Sequence, residues 1–209
     1  MTSQDTVSRR QTRRAGRGKT EVLEAAARVI AERGADATRF TDVSQASAVP
    51  VSTLQYYFGS REDLLVAAFR HASETELARL GPEIERIADP WDRVVRIADA
   101  ALSGYSAEEG QPSRLWIEAW RFAMRDQEMR ADVLRDYAAW RGLIAAAIRA
   151  GIRHGRFTMA GDPDQVAALI LCMLDGLGMP LALADPSLSA EGTRGTLLAT
   201  LGAILGHNS

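Results

Sequence analysis

Between positions 52 and 57 the chain places Ser52, Thr53, Gln55, Tyr56 and Tyr57 close together. Hydroxyl, amide and phenol groups donate and accept hydrogen bonds without carrying a fixed charge, which suits phosphate oxygens and the edges of bases. The chemistry on offer is recognition rather than bond cleavage. Presenting these groups on one side requires short helices, and the surrounding stretch 39–65, RFTDVSQASAVPVSTLQYYFGSREDLL, predicts them. Phe40, Val43 and Ala46 recur at helical spacing, and Val49, Leu54 and Phe58 can face the same small core. Two short helices joined by a tight turn, followed by a helix opened by Ser60, Glu62 and Asp63, have the layout of a helix-turn-helix DNA reader.

The run STLQYYFGSREDLL resembles the amino-terminal domain of the TetR family of bacterial transcriptional regulators, which usually shows a Gly-Thr-Leu-Tyr-Tyr-His-Phe-like run and then Ser-Lys-Glu-Asp-Leu. The resemblance covers about the first 70 residues, and beyond them only length and helical pattern agree. Ala48 stands where the family commonly has a turn glycine, Pro50 where serine is frequent, Gln55 where tyrosine is usual and Tyr57 where histidine is frequent. Ala48 must therefore enter a conformation that glycine reaches more cheaply, whereas Pro50 is tolerable in a first helical turn. The resemblance implies that Ser52, Thr53 and Tyr57 hold phosphates and that Val51, Gln55 and Tyr56 face base edges or thymine methyls. It adds Arg39, Thr41 and Arg61 as flanking DNA contacts.

The rest of the chain bounds the reading. Its 209 residues are 46% hydrophobic and 25% charged, enough for one domain or two small ones. Net charge is −2, but it is unevenly placed: residues 1–70 carry +3 and the remainder −5, which confines nucleic-acid binding to the front end. Arg9, Arg10, Arg13, Arg14, Arg17 and Lys19 crowd residues 1–19, read as a flexible basic arm able to follow phosphates or a minor groove. No apolar run of membrane-spanning length and no secretion signal are recognised, so a cytoplasmic protein with no membrane partner is expected. The single cysteine, Cys172, lies in the apolar run 166–174 and is read as a small core residue.

Stepping along the chain, a first ordered helix is expected from about Thr20 to Arg33, ended by Gly34. A fourth runs from Ser60 toward Leu80 and stops at Gly81-Pro82, and others lie near 91–107, 112–125, 127–153, 163–184 and 188–206. The expected fold is all-α: a helix-turn-helix DNA-binding domain over 20–70, motif 39–58, followed by a helical effector-binding and dimerisation domain over 71–209. Val166, Ile170 and Leu177 in one of the last two helices, with Gly195, Leu198, Leu201, Gly202 and Leu205 in the other, are candidates for a two-fold interface, which the resemblance favours over an intrachain core. Gly176, Gly178 and Pro180 should bend or interrupt the first of these helices. An effector pocket is expected among Tyr105, Trp116, Trp120, Met124, Tyr137, Trp140, Met173 and Asp175, since a ligand cavity needs bulky apolar walls and a few polar handles.

His71, His154 and His207 are scattered, with no ligand spacing for zinc, and no phosphate loop, nucleophile elbow or dinucleotide fingerprint occurs. Neither catalysis, nor a cofactor, nor a metal is expected. The pattern points to a homodimeric regulator, more a repressor than an activator, that binds double-stranded operator DNA and is released by a small-molecule effector. Two alternatives stay open: a helical small-molecule-binding protein with a degenerate reader, and an effector-independent DNA-binding protein.

Overall fold

The computed structural model describes residues 3–103 and 112–207, and among them every regular element is a helix. In chain order these are α1 (Ser3–Arg33), α2 (Phe40–Ser47), α3 (Val51–Phe58), α4 (Arg61–Arg86), α5 (Pro90–Ser103), α6 (Pro112–Ala123), α7 (Gln127–Arg153), α8 (Pro163–Ala182) and α9 (Ala190–Leu205). The chain forms two compact units, one of Met1–Glu74 with Arg114–Asp132 and the other of Thr75–Ser113 with Val133–Ser209. The front unit thus takes α6 and the start of α7 as well as the stretch expected for it, because α6 buries Leu115, Ala119 and Phe122 on the same side.

Two helices are longer than expected. α1 begins at Ser3, so most of the supposed flexible arm continues the helix backbone. Arginine and glutamine are fair helix formers, and extending an existing helix adds one hydrogen bond for each residue fixed. α4 passes through Gly81-Pro82 to Arg86. An internal proline costs roughly 3 kcal/mol, but Leu80 and Ile84, one turn apart across it, are both buried in the second unit's core. Burying two large aliphatic side chains contributes about as much, at roughly 1.5 to 3 kcal/mol each.

In the first unit Val22, Ala26, Val29 and Ile30 of α1 are buried, as are Val43, Leu54, Phe58, Leu64, Leu65 and Phe69. Ala46, expected in this core, is exposed. α1 ends at Gly34, whose φ of 83° lies in the left-handed region that glycine enters without penalty.

In the second unit α5 packs against α8 and α9 around Val94, Ile97, Ile144, Ile148, Leu171 and Leu174. Phe157 closes over Gly151, where any Cβ would lie only 2.0 Å from its ring. Trp91 stacks on His207 with centroids 4.3 Å apart, which fastens the end of α9.

α8 corrects two expectations. It is long and apolar enough, by length and composition, to cross a membrane. Yet Ala167, Ile170, Leu171 and Leu174 are buried in the chain's own core, Asp162 caps its start by accepting from the Asp164 N–H at 3.1 Å, and Asp175 lies within it. That is a core helix with a second apolar face: Leu169, Cys172 and Met179 are exposed, so Cys172 is a surface residue. The helix continues past Gly176, Gly178 and Pro180 to Ala182.

Candidate nucleic-acid interface

The geometry of α2 and α3 follows from their ends. The backbone N–H of Arg39 donates to Asp42 Oδ2 at 2.9 Å, and Arg33 Nη1 donates to Asp42 Oδ1 at 2.9 Å, which ties the first turn of α2 to the last turn of α1. An acidic group at a helix start is also favoured by the helix dipole. α2 ends at Ala48, with φ 56° and ψ 24°, the left-handed conformation that glycine would enter more readily. Pro50 is the N-cap of α3 rather than its first helical residue; its carbonyl accepts from the N–H groups of Thr53 and Leu54 at 2.9 and 3.1 Å. At the far end the Gly59 N–H donates to the Gln55 carbonyl at 2.8 Å, and Ser60 and Asp63 exchange reciprocal hydrogen bonds that start α4.

With Leu54 and Phe58 buried, the remaining positions of α3 are sorted by helical geometry. Ser52, Gln55 and Tyr56 are exposed, Tyr56 by 86%, while Val51, Thr53 and Tyr57 are half-buried. Tyr57 meets Phe58 edge-on at 6.1 Å and Tyr56 at 6.1 Å. α3 carries no charged residue, so its outward face offers hydrogen bonds and ring surface alone. Positive charge lies beside it: Arg39 is exposed, as is Lys19, whose Nζ sits 5.4 Å from the Phe58 ring centroid. Thr41 is exposed on α2.

Arg61 has a task within the chain besides the flanking DNA contact expected of it. Its Nη1 donates to the carbonyls of Ala35 and Thr38 at 2.6 and 3.3 Å, and its Nε lies 3.3 Å from Glu62. The guanidinium therefore holds the α1–α2 loop through its Nη1. Sequence reasoning missed a second group on that loop, the carboxylates and arginines of Asp36, Glu118, Arg121 and Arg125. These residues are 82 to 89 positions apart across the loop and α6, a separation over which spacing carries no signal.

The expected effector residues divide between the units. Trp116 meets Phe69 edge-on at 4.9 Å in the first, where Trp120 is half-buried and Met124 is 80% exposed beyond the end of α6. Met124 faces solvent because the helix has already ended at Ala123. In the second unit Trp140 is a buried core residue, and the Tyr137 hydroxyl donates to Asp175 Oδ2 at 2.7 Å. Burial pushes the Asp175 carboxyl above its usual range and the Tyr137 hydrogen bond partly opposes this. Met173 is half-buried and lines a groove with Gly176, Leu177, Thr196, Leu197 and Thr200. Tyr105 lies outside the described residues.

The expected interface residues need the largest correction. Ile170, Leu201 and Leu205 are buried in the chain's own core at 2%, 0% and 0% exposure, and Gly202 faces Trp91, whose ring would be 3.5 Å from a Cβ there. Val166, Leu177 and Leu198 are partly buried against the same core. Of the eight residues named, Gly195 alone is exposed. An apolar stripe reports that a helix is covered but not by which chain.

Two family profiles match. One, of bacterial regulatory proteins of the tetR family, matches residues 22–68, and the other, the C-terminal domain of BetI-type transcriptional repressors, matches residues 90–206. The HTH-type transcriptional regulator BetI of Rhizobium meliloti is 24% identical over 172 residues, 81% of this chain and 80% of that protein. The HTH-type transcriptional repressor KstR2 of Mycobacterium tuberculosis is 26% identical over 151 residues, 72% of this chain and 74% of that protein. Among solved structures, a transcriptional regulator from Saccharomonospora viridis in complex with choline superposes with a TM-score of 0.77 at 28% identity, covering 85% of this chain and 91% of that one.

Proposed function

The chain belongs to the TetR family of bacterial regulatory proteins, and from that premise we propose that it represses transcription as a homodimer on a palindromic operator and is released by a small molecule. The observation that carries the DNA-reading part is the outward face of α3, where exposed Ser52, Gln55 and Tyr56 stand on a helix anchored by buried Leu54 and Phe58. An adenine offers its N6 donor and N7 acceptor to a Gln amide, so Gln55 supplies sequence preference while Ser52, Thr53, Tyr57, Thr41 and Arg39 hold the backbone. This work is done where the operator is, in the cytoplasm. Footprinting of the purified protein on DNA upstream of its own reading frame tests the reading: a protected two-fold symmetric site is expected, and protection of no site there or in a random-sequence selection rejects it.

The dimer rests on α8 and α9. Leu169, Cys172 and Met179 of α8, and Gly195, Thr196, Ala199, Thr200 and Ala203 of α9, leave an exposed, largely uncharged face. Small residues permit close approach of a second helix pair, and a palindromic site requires a two-fold reader.

For the effector, the second unit offers the Tyr137–Asp175 pair, a half-buried carboxylate that accepts from a half-buried phenol. Such a site suits a small organic cation, because a quaternary ammonium group donates no hydrogen bond and is held by aromatic faces and opposite charge. The choline-bound relative supports the same class. Choline titration by calorimetry is the test: saturable binding lost in Asp175→Asn is expected, and no heat with the wild type removes choline.

A further inference from the structure

Beyond the DNA-reading face lies a staple that fixes where that face points. The loop between α1 and α2 has only six residues, 34–39, and its path sets the start of α2 and with it α3. Ala35 is buried, and its peptide groups are gripped from two sides: its N–H donates to Glu118 Oε2 at 2.7 Å, and its carbonyl accepts from Arg61 Nη1 at 2.6 Å. Gly34 opens the loop with a φ of 83°, the left-handed conformation that glycine enters without penalty. The buried Thr38 Oγ1 returns a hydrogen bond to the Gly34 carbonyl at 2.8 Å. Around this core, Arg121 donates to both Glu118, at 2.8 Å, and Asp36, at 2.6 Å, and Arg125 pairs with Asp36 as well.

We propose that Glu118 on α6 is a positioning residue for DNA recognition, its carboxylate holding the Ala35 N–H and so setting the orientation in which α2 and α3 meet the duplex. The reason to assign this to Glu118 rather than to the surface pairs is burial. A charge-assisted hydrogen bond to a buried N–H is stronger than an exposed ion pair, and a buried N–H left unpaired is costly. Asp36 and its arginines are exposed and screened by solvent, so they reinforce the loop without fixing it.

This rests on the DNA-binding reading, and the test separates the two. In full-length protein, hydrogen exchange of the free chain and affinity for the footprinted site are measured for Glu118→Ala, Glu118→Gln and Arg121→Gln. Glu118→Ala is expected to speed exchange across Ala35–Ser47 while Val22–Ile30 stays protected, and to lower operator affinity by about tenfold. Glu118→Gln keeps an acceptor oxygen and should recover affinity to within about threefold of the wild type, which a merely structural role for the charge would not allow. Arg121→Gln should give a smaller loss of the same kind, and it decides the matter if Glu118→Ala loses protection everywhere. Unchanged exchange over Ala35–Ser47 in Arg121→Gln and in a folded Glu118→Ala overturns the staple. Faster exchange there in Glu118→Ala, together with a wild-type protein that binds no DNA, overturns the reading of function and leaves the staple standing.

Discussion

At the residue scale, α3 divides its labour by exposure. Gln55 projects its amide into solvent and makes no side-chain contact that holds the fold, so Gln55→Ala should leave the melting temperature unchanged. It should relax base preference at one position in each half-site, by ~1 to 3 kcal/mol. Tyr57 is half-buried against Phe58 and can offer only its hydroxyl to the backbone, so Tyr57→Phe should weaken every operator variant about equally. Competition with single-base variants separates the two patterns, and an equal loss on all variants for Gln55→Ala would sink its assignment. Ala48 carries a different kind of information. Its left-handed backbone, φ 56°, was expected from its place at the turn, and a side chain there costs roughly 1 to 2 kcal/mol. Glycine removes this but adds chain entropy of roughly 0.5 to 1 kcal/mol in the unfolded state. Ala48→Gly should therefore stabilise the first unit by about 0.5 to 1 kcal/mol, read as a rise of about 2 to 4 °C per kcal/mol in thermal melting.

At the scale of elements, α9 shows what a periodic pattern can and cannot say. Leu197, Leu201 and Leu205 recur every four residues and lie in the chain's own core, while Thr196 and Thr200, one position earlier, face outward into the groove beside α8. Leu201→Glu should then unfold the second unit, since an unpaired charge in that core costs on the order of 3 to 5 kcal/mol. Thr200→Arg should leave each subunit folded but separate the pair. Circular dichroism and sedimentation together distinguish these: a folded Leu201→Glu monomer, or a Thr200→Arg protein that remains dimeric at micromolar concentration, would reassign the face. The same contrast explains which features were legible in the sequence. Helix positions, the Ser60 cap and the outward residues of α3 depend on neighbours within one turn, and local spacing records those. Whether Leu201 meets its own chain or another depends on residues far away in sequence, as does the pairing of Glu118 with the Ala35 N–H, 83 positions apart. Pro82 also misled, because the burial of Leu80 and Ile84 that carries α4 through it is a tertiary fact.

At the scale of the whole molecule, α4 and α7 are continuous helices that each contribute residues to both units, so an effector that changes their ordering in the second can alter the first. Two half-sites on one duplex demand a fixed spacing between recognition helices, ~34 to 36 Å for successive major-groove turns, and a modest pivot loses simultaneous contact. Ligand and DNA are then linked by a coupling free energy of ~1 to 3 kcal/mol, and DNA must weaken ligand binding by the factor by which ligand weakens DNA binding. For a cation held at Asp175 this acquires a pH dependence whose sign is fixed. Burial raises the folded carboxyl above its usual range, so the ionised form is disfavoured in the free protein, and the resulting destabilisation is relieved as pH falls through that raised value. The cation needs the ionised form. Its affinity should therefore decline as pH falls through the raised Asp175 value, at a higher pH than an ordinary carboxylate would show, while release of operator by the ligand weakens in parallel. Asp175→Asn should lose both the binding and its pH dependence yet bind operator as the wild type does without ligand. Titrating choline against wild type and Asp175→Asn, with and without operator and across the acid range, tests the whole chain of cause. Binding that is independent of pH, or unaffected by Asp175→Asn, would move the cation elsewhere, and binding with no reciprocal weakening by DNA would separate it from repression.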